Sequence, residues 1–212
     1  STYTRCVVMR GEMIIAQASK ILWNPEKPHS NWARPVTYTE FINGIEMFIR
    51  EAIGKAGIEL GNVKGIGIGT VGFVKDGHIL TRANVTRALS DEDFAKVAHV
   101  REDLEQRLNG IPVAVEMDGK VAALGERLVS GAKNALVVKL GTSMAAKMID
   151  KDGNITDNFE EIRQIIVEPS SNAFVNPHTG VRGTLRSYAT AEAIKELSQL
   201  IMGRKIDYKQ LV

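Results

Sequence analysis

The chain has 212 residues and a mass of 23.2 kDa, with 27 Lys plus Arg against 25 Asp plus Glu, a formal net charge of +2. This near-balance lacks the clustered positive excess that tracks a phosphate backbone, which argues against a nucleic-acid partner. A hydrophobic share of 44% and a charged share of 25% exclude a disordered chain or a long coiled coil. Apolar runs break well short of the roughly 20 residues that a membrane helix needs, and no secretory leader opens the chain. The single cysteine, Cys6, rules out an internal disulfide and fits a reducing, cytoplasmic compartment.

Arg5–Met9 reads as a strand, and Arg10-Gly11 turns it into Met13–Ala16, a hairpin. Residues 23–36 hold both tryptophans and three prolines and read as a long irregular loop. Thr37 with Glu40 three residues on forms a capping box, and Phe41, Ile45, Phe48, Ile49, Ala52 and Ile53 recur at helical spacing up to Gly54 and Gly57. Val63–Gly69 is a glycine-rich strand. Asp76-Gly77 between Phe73-Val74 and His78–Leu80 predicts a tight hairpin. Val97, Val100, Leu104 and Leu108 mark one helix closed by Asn109-Gly110; Pro112–Glu116 reads as a buried strand. Val121, Leu124 and Leu128 mark a helix from about Asp118, and Ala135–Leu140 a further buried strand. Gly141-Thr142 leads to a strand ending Met148-Ile149, Asp152-Gly153 turns again, and Ile194, Leu197, Leu200 and Ile201 define the last helix. The alternation predicts an α/β architecture with mixed sheets. The run Ile68-Gly69-Thr70 to Lys75-Asp76-Gly77 is echoed by Leu140-Gly141-Thr142 to Lys151-Asp152-Gly153, the pattern of a duplicated lobe or of two ordinary hairpins.

Gly67-x-Gly69-x-x-Gly72 matches the dinucleotide-binding fingerprint. That motif works only where the glycines turn a strand directly into a helix whose N-terminus holds the pyrophosphate. The residues after Gly72 predict a hairpin, so a nicotinamide-dependent oxidoreductase is excluded.

Residues 111–126, Ile-Pro-Val-Ala-Val-Glu-Met-Asp-Gly-Lys-Val-Ala-Ala-Leu-Gly-Glu, resemble the signature of the ROK family of sugar kinases, P-V-x-V-E-N-D-A-N-x-A-A-x-G-E. Ile66–Gly77 is similar to that family's I-G-I-G-x-P-G-x-V-x-x-G, and Ala83-Asn84-Val85 to its P-N-L. Leu140-Gly141-Thr142 resembles its L-G-T-G phosphate turn, Glu160-Glu161-Ile162 its G-E-I-G-H, and Gly180–Ala189 its C-G-x-x-G-C-L-E-x-x-A. The resemblance implies an actin/hexokinase-like (ribonuclease H-like) two-lobe fold, with residues 1–115 as the N-terminal lobe and 116–212 as part of the C-terminal lobe. Ser1-Thr2 fits the tail of a D-I-G-S/G-T loop. The family continues past the Gly180 motif into helices and an adenosine-binding turn, so the chain reads as truncated at both ends.

The resemblance further implies an ATP-dependent kinase for a hexose-like hydroxyl, with ATP and Mg²⁺ as cofactors and a homodimer as the assembly. Asp118 is then the base that takes the proton of the attacking hydroxyl; an N-cap for the following helix is the other reading of an Asp there. Thr2, Gly141 and Thr142 would bind phosphate, although Gly141-Thr142 by itself also reads as an ordinary tight turn between two strands and Thr2 depends on an intact loop. Asn84, Met117, Glu161, Gln164 and Arg186 fall on sugar-binding positions, although Asn84 also suits a turn and Glu161 a solvated surface. Met117 replaces an Asn, Gln164 a His and Arg186 a Glu, while Ser143 and Ala145 replace glycines of the phosphate turn. The family's structural zinc needs one His and three Cys. Here those positions are Gln164, Pro177, Thr179 and Thr184, so no zinc is expected. His29, His78 and His99 show no metal spacing, and a lone His178 is a weak ligand. A catalytically weak sugar sensor is the second reading. The family's repressors carry an added DNA-binding segment, which is not expected here.

Overall fold

Two antiparallel strands open the structure, a computed structural model describing residues 4–20, 35, 37–83, 85–140, 144–156, 162–176, 180–204 and 206. Strands β1 (Thr4–Arg10) and β2 (Met13–Lys20) turn at Gly11, whose φ is 58°, with a bulge between Val8 and Met9. The hairpin extends past Ala16, the end set by the apolar pattern. The Trp/Pro-rich loop lies almost wholly outside the described residues. Helix α1 (Tyr38–Lys55) starts as the capping box predicts, with the Glu40 N–H donating to Thr37 Oγ1 at 3.2 Å. It runs through Gly54, and the left-handed Gly57 follows its end.

Strand β3 (Ile66–Thr70) begins three residues later than expected, because Leu60–Asn62 forms a 3₁₀ turn. Strands β4 (Val74–Lys75) and β5 (His78–Ile79) pair across Asp76 and Gly77, with φ of 52° and 82°. Both turn residues are left-handed, as a two-residue hairpin of the favoured twist requires. The single helix expected around Val97–Leu108 is instead two, α2 (Asp91–Val97) and α3 (Val100–Arg107). Ser90 caps α2, accepting the Asp93 N–H at 3.1 Å, and three acidic residues in its first turn complement the helix dipole. Val97, Val100, Leu104 and Leu108 are nonetheless all buried across the break, so the apolar pattern reported the face and not the continuity.

Strand β6 (Val113–Met117) pairs parallel with β3, Ile66 opposite Val113 and Thr70 opposite Met117. Their inward residues join Phe41, Ile42, Ile49 and Ile53 of α1 and the α2–α3 face in one core. Each side chain of this size contributes about 1.5–3 kcal/mol by leaving water.

This first unit spans Ser1–Asp118; the second spans Gly119–Val212. Helix α4 (Asp118–Ser130) is followed by β7 (Ala135–Leu140), β8 (Met144–Ile149) and β9 (Ile155–Thr156), an antiparallel sheet in that order. Short helix α5 (Leu185–Tyr188) precedes α6 (Ala191–Met202), which Thr190 caps and left-handed Gly203 ends. Strand β7 is not the buried strand that its composition suggested. Among the described residues it is an edge strand, and Leu136, Val138 and Leu140 are exposed, as are Val121, Leu124 and Leu128 of α4. Of the internal echo, both Asp-Gly turns are present, while β7 pairs with its successor β8 and β3 with β6; Gly141-Thr142 lies outside the described residues. No helix among the described residues is long and apolar enough to cross a membrane.

Tyr38, only 8% exposed, donates its hydroxyl to Asp103 Oδ2 at 2.6 Å, tying α1 to α3. Burial, then the Asp103 carboxylate, push the phenol well above its ordinary pKa. A raised folded value means that this stabilisation is complete below the unfolded pKa of about 10 and is lost as the pH climbs past it. Tyr38→Phe is expected to cost about 1 kcal/mol at neutral pH and to flatten the fall in melting temperature above about pH 10, measured by thermal unfolding across the alkaline range.

Candidate active site

Asp118 follows the last residue of β6 and opens α4. The parallel register brings β3 to its end at the same level, Thr70 beside Met117. The carboxyl end of parallel strands is where an α/β sheet presents groups to a ligand, since the chain leaves the sheet there. The first turn of a helix also favours a carboxylate through its unpaired N–H groups and dipole. Asp118 is half-buried in this position. Its neighbour Met117 is partly buried against the apolar core, and the Met117 N–H donates to Glu116 Oε1 at 2.9 Å.

Beyond Thr70, Gly72 has φ 103°, and a Cβ there would stand 2.8 Å from the Thr81 carbonyl oxygen. The Phe73 N–H donates to Thr81 Oγ1 at 2.7 Å. The glycine motif is therefore a backbone-packed turn into a hairpin, and the helix that a dinucleotide site requires is absent from this place.

The loop after β5 is organised by Arg82, a residue that the sequence pattern did not single out. Its guanidinium donates to the Leu89 carbonyl at 2.5 Å and to Asp91 Oδ1 at 2.6 Å, and it stacks over Phe94 with 4.6 Å to the ring centre. Within the bracket that it makes, the Ala83 N–H donates to buried Thr86 Oγ1 at 3.1 Å. Asn84 itself lies outside the described residues, as do Thr2, Gly141, Thr142 and Glu161.

In the second unit, Gly119 lies buried in the first turn of α4, where a Cβ would come 3.1 Å from Ala145 Cβ and 3.9 Å from Lys147 Cγ on β8. Lys147 is 1% exposed, the bulkiest fully buried side chain of the described residues. Its place in an otherwise apolar strand, Met144–Ile149, was the only sequence signal for it.

Gln164 ends the 3₁₀ turn Ile162–Gln164, and Arg186 lies in α5. The two elements are joined by the Leu185 N–H donating to the Ile165 carbonyl at 2.8 Å and by pairing of Ile166 with Thr184. Gly183, with φ 67°, leaves no room for a Cβ, which would overlap the Glu168 carbonyl oxygen; its own carbonyl accepts the Val167 N–H at 2.8 Å. Hydrogen bonds from Tyr188 and Ser170 hold the Glu168 carboxyl below its ordinary pKa range. The residues here do not fit a structural zinc. Fully buried Thr184 shares a hydrogen bond with Ser187 Oγ at 2.8 Å, and neither Thr184 nor Gln164 offers a thiolate or imidazole. Hydrogen bonds stitch the segment instead.

An α/β chain that delivers a half-buried aspartate from the end of a parallel strand into a helix is here of the actin and hexokinase type of fold. The chain belongs to the ROK family, whose model matches residues 2–155. Among solved structures, a ROK hexokinase from Thermus thermophilus is 19% identical with a TM-score of 0.65, over 99% of this chain and 64% of that one. A ROK glucokinase from Streptomyces griseus, solved with glucose and AMPPNP, is 22% identical with a TM-score of 0.57, over 92% and 57%. A ROK transcriptional regulator, a homologue of the E. coli MLC protein, is 17% identical with a TM-score of 0.70, over 95% and 48%. The chain thus spans less than two thirds of each of these structures. No curated protein sequence matches it.

The close approach at Gly119 makes a packing prediction. In the signature that residues 111–126 resemble, Ala stands at this position, while Ala145 of β8 stands where the resembled pattern has a glycine. Gly119→Ala is expected to destabilise by about 1 kcal/mol through crowding against Ala145. In an Ala145→Gly background the same change should stabilise by about 0.5–1 kcal/mol, the helix-propensity gain alone. Denaturant unfolding of the four proteins reads the coupling, and strictly additive effects would contradict it.

Proposed function

We propose that this protein is an ATP-dependent sugar kinase of ROK type, transferring the γ-phosphate of ATP to the hydroxyl of a hexose-like acceptor. The observation that carries the reading is the position of Asp118, a half-buried carboxylate at the carboxyl end of β6 and the start of α4, in a chain that belongs to this family. Family membership and the solved ROK kinases support it.

In this reading Asp118 accepts the proton from the acceptor hydroxyl as its oxygen attacks the γ-phosphorus in line. Mg²⁺ bound together with ATP would offset the charge of the phosphates. Thr2, Gly141 and Thr142 are proposed to hold the phosphates through backbone N–H groups and hydroxyls. Asn84, Glu161, Gln164 and Arg186 are proposed to face the acceptor, with Met117 beside them. Arg186 is a cation where the resembled pattern has a carboxylate, and Met117 offers neither donor nor acceptor. The acceptor therefore differs from a neutral hexose, and a sugar acid is complementary to the guanidinium. A homodimer working in the cytoplasm, without nucleic acid or membrane, belongs to the same proposal.

The test is thermal unfolding with Mg-ATP and a panel of hexoses and sugar acids, paired with an assay for ADP release. A ligand at a hundredfold excess over its Kd stabilises by about 2.7 kcal/mol. Asp118→Asn is expected to keep the stabilisation by the acceptor and to lower kcat by about 10²–10⁴. Stabilisation by a sugar without turnover would favour a sensor, the second reading that the regulator's likeness keeps open. Turnover that persists in Asp118→Asn would remove Asp118 from the chemistry.

A further inference from the structure

We infer that His78, His99 and Glu102 form a binding site for a divalent transition-metal ion of the zinc class. It lies wholly within the first unit and does not depend on the kinase reading. One ligand atom from each of the three side chains lies within 4.8 Å of the others. That spread is a little wider than bonds of about 2.0–2.2 Å allow around one ion, so binding requires the three side chains to draw together, with His99 exposed and the least restrained by packing.

The fold assembles this set from distant sequence. His78 opens β5, His99 immediately precedes α3, and Glu102 lies in the first turn of α3. His78 Nδ1 donates to the Ala98 carbonyl at 2.7 Å. A carbonyl can only accept, so this bond fixes the proton on Nδ1 and leaves the Nε2 lone pair for a ligand, the support that metal-binding imidazoles ordinarily receive. The His99 ring meets His78 edge-on, 6.0 Å between centres.

Glu102 supplies the second, independent observation. Its Oε1 accepts from Arg101 Nε at 3.0 Å and Nη2 at 2.5 Å, while Oε2 is buried from solvent with no hydrogen-bond partner. A buried acceptor without a partner is costly, and a cation on Oε2 removes the cost. Two imidazoles and one carboxylate suit Zn²⁺ or a similar ion, with water in the remaining position. The Arg101 guanidinium, paired with Glu102 Oε1, opposes a second cation nearby and lowers the expected affinity. Arg101 already crosses the β4–β5 turn, donating to the Asp76 carbonyl at 3.3 Å. A bound ion would be a second tie between that hairpin and α3.

The experiment titrates the chelator-stripped full chain with Zn²⁺ by calorimetry and follows Co²⁺ by its visible absorption. One equivalent of Zn²⁺ is expected to bind, with a tetrahedral Co²⁺ band. His99→Ala and Glu102→Gln should each weaken binding at least tenfold and abolish the band, whereas Cys6→Ser and His178→Ala should leave both unchanged. His99 is exposed, so its removal leaves the core intact; His99→Gln serves as a second substitution, and metal-free melting curves establish that each variant is folded. No saturable binding at one equivalent, binding that survives both ligand variants, or binding lost in Cys6→Ser would overturn the proposal.

Discussion

The parallel pairing of β3 with β6 is the constraint on which the first unit depends. Ile66, Ile68, Val113 and Val115 point one way from this pair and enter the core. A slip of β6 by one residue would turn Val113 and Val115 outward and bring Ala114 and Glu116 inward. The register is held from outside as well: Glu105 Oε1 of α3 accepts the Val113 N–H at 2.9 Å, and the Ile66 N–H donates to the Pro112 carbonyl at 2.9 Å. Once the register is set, both strands end together. Asp118 and the Gly72 turn are then consequences of where the pairing stops.

Features that a few adjacent residues decide are legible in the amino-acid sequence. The Thr37 capping box, the Asp76-Gly77 turn and the Asp118 helix start are of this kind, and each stands where the pattern puts it. Elements whose fate depends on distant partners are less legible. Four apolar residues from Val97 to Leu108 share one buried face whether or not the helix is continuous. The break falls at Ala98-His99, where the His99 N–H turns back to the Lys96 carbonyl at 3.0 Å and ends the helical ladder of α2. Strand β7 is apolar enough to be central, yet its position at a sheet edge leaves alternate residues exposed.

The same division runs through the candidate site. Asp118 carries a sequence signature because its strand, its turn and its helix are contiguous. Arg82 carries none: its role comes from reaching the Leu89 carbonyl, Asp91 and Phe94 around a loop. Lys147 is one lysine in a short strand until burial singles it out. His78 and His99 have no spacing that announces a shared ligand, because the hairpin and the start of α3 meet only in three dimensions. Long-range proximity is invisible to periodicity.

The described residues of the segment from Ile162 to Tyr188 are held together by hydrogen bonds across the chain. A zinc ion fixes a loop by holding several backbone positions at once, and thiolates are the usual means. Here the ties are the Gly183 carbonyl, the buried Thr184–Ser187 pair and the Tyr188–Glu168 hydrogen bond. Arg182 adds bonds to the Ser171 and Ala173 carbonyls at 2.5 and 3.0 Å. Such bonds are individually worth only about 1 kcal/mol, so the segment depends on having several of them together. Glycine at position 183 is the condition for all of them, since any side chain there would meet the Glu168 carbonyl and part the two strands of contact. In the proposed kinase this segment carries Gln164 and Arg186. Both proposed acceptor-facing residues then lie on one stretch of backbone, whose described residues are positioned by these hydrogen bonds.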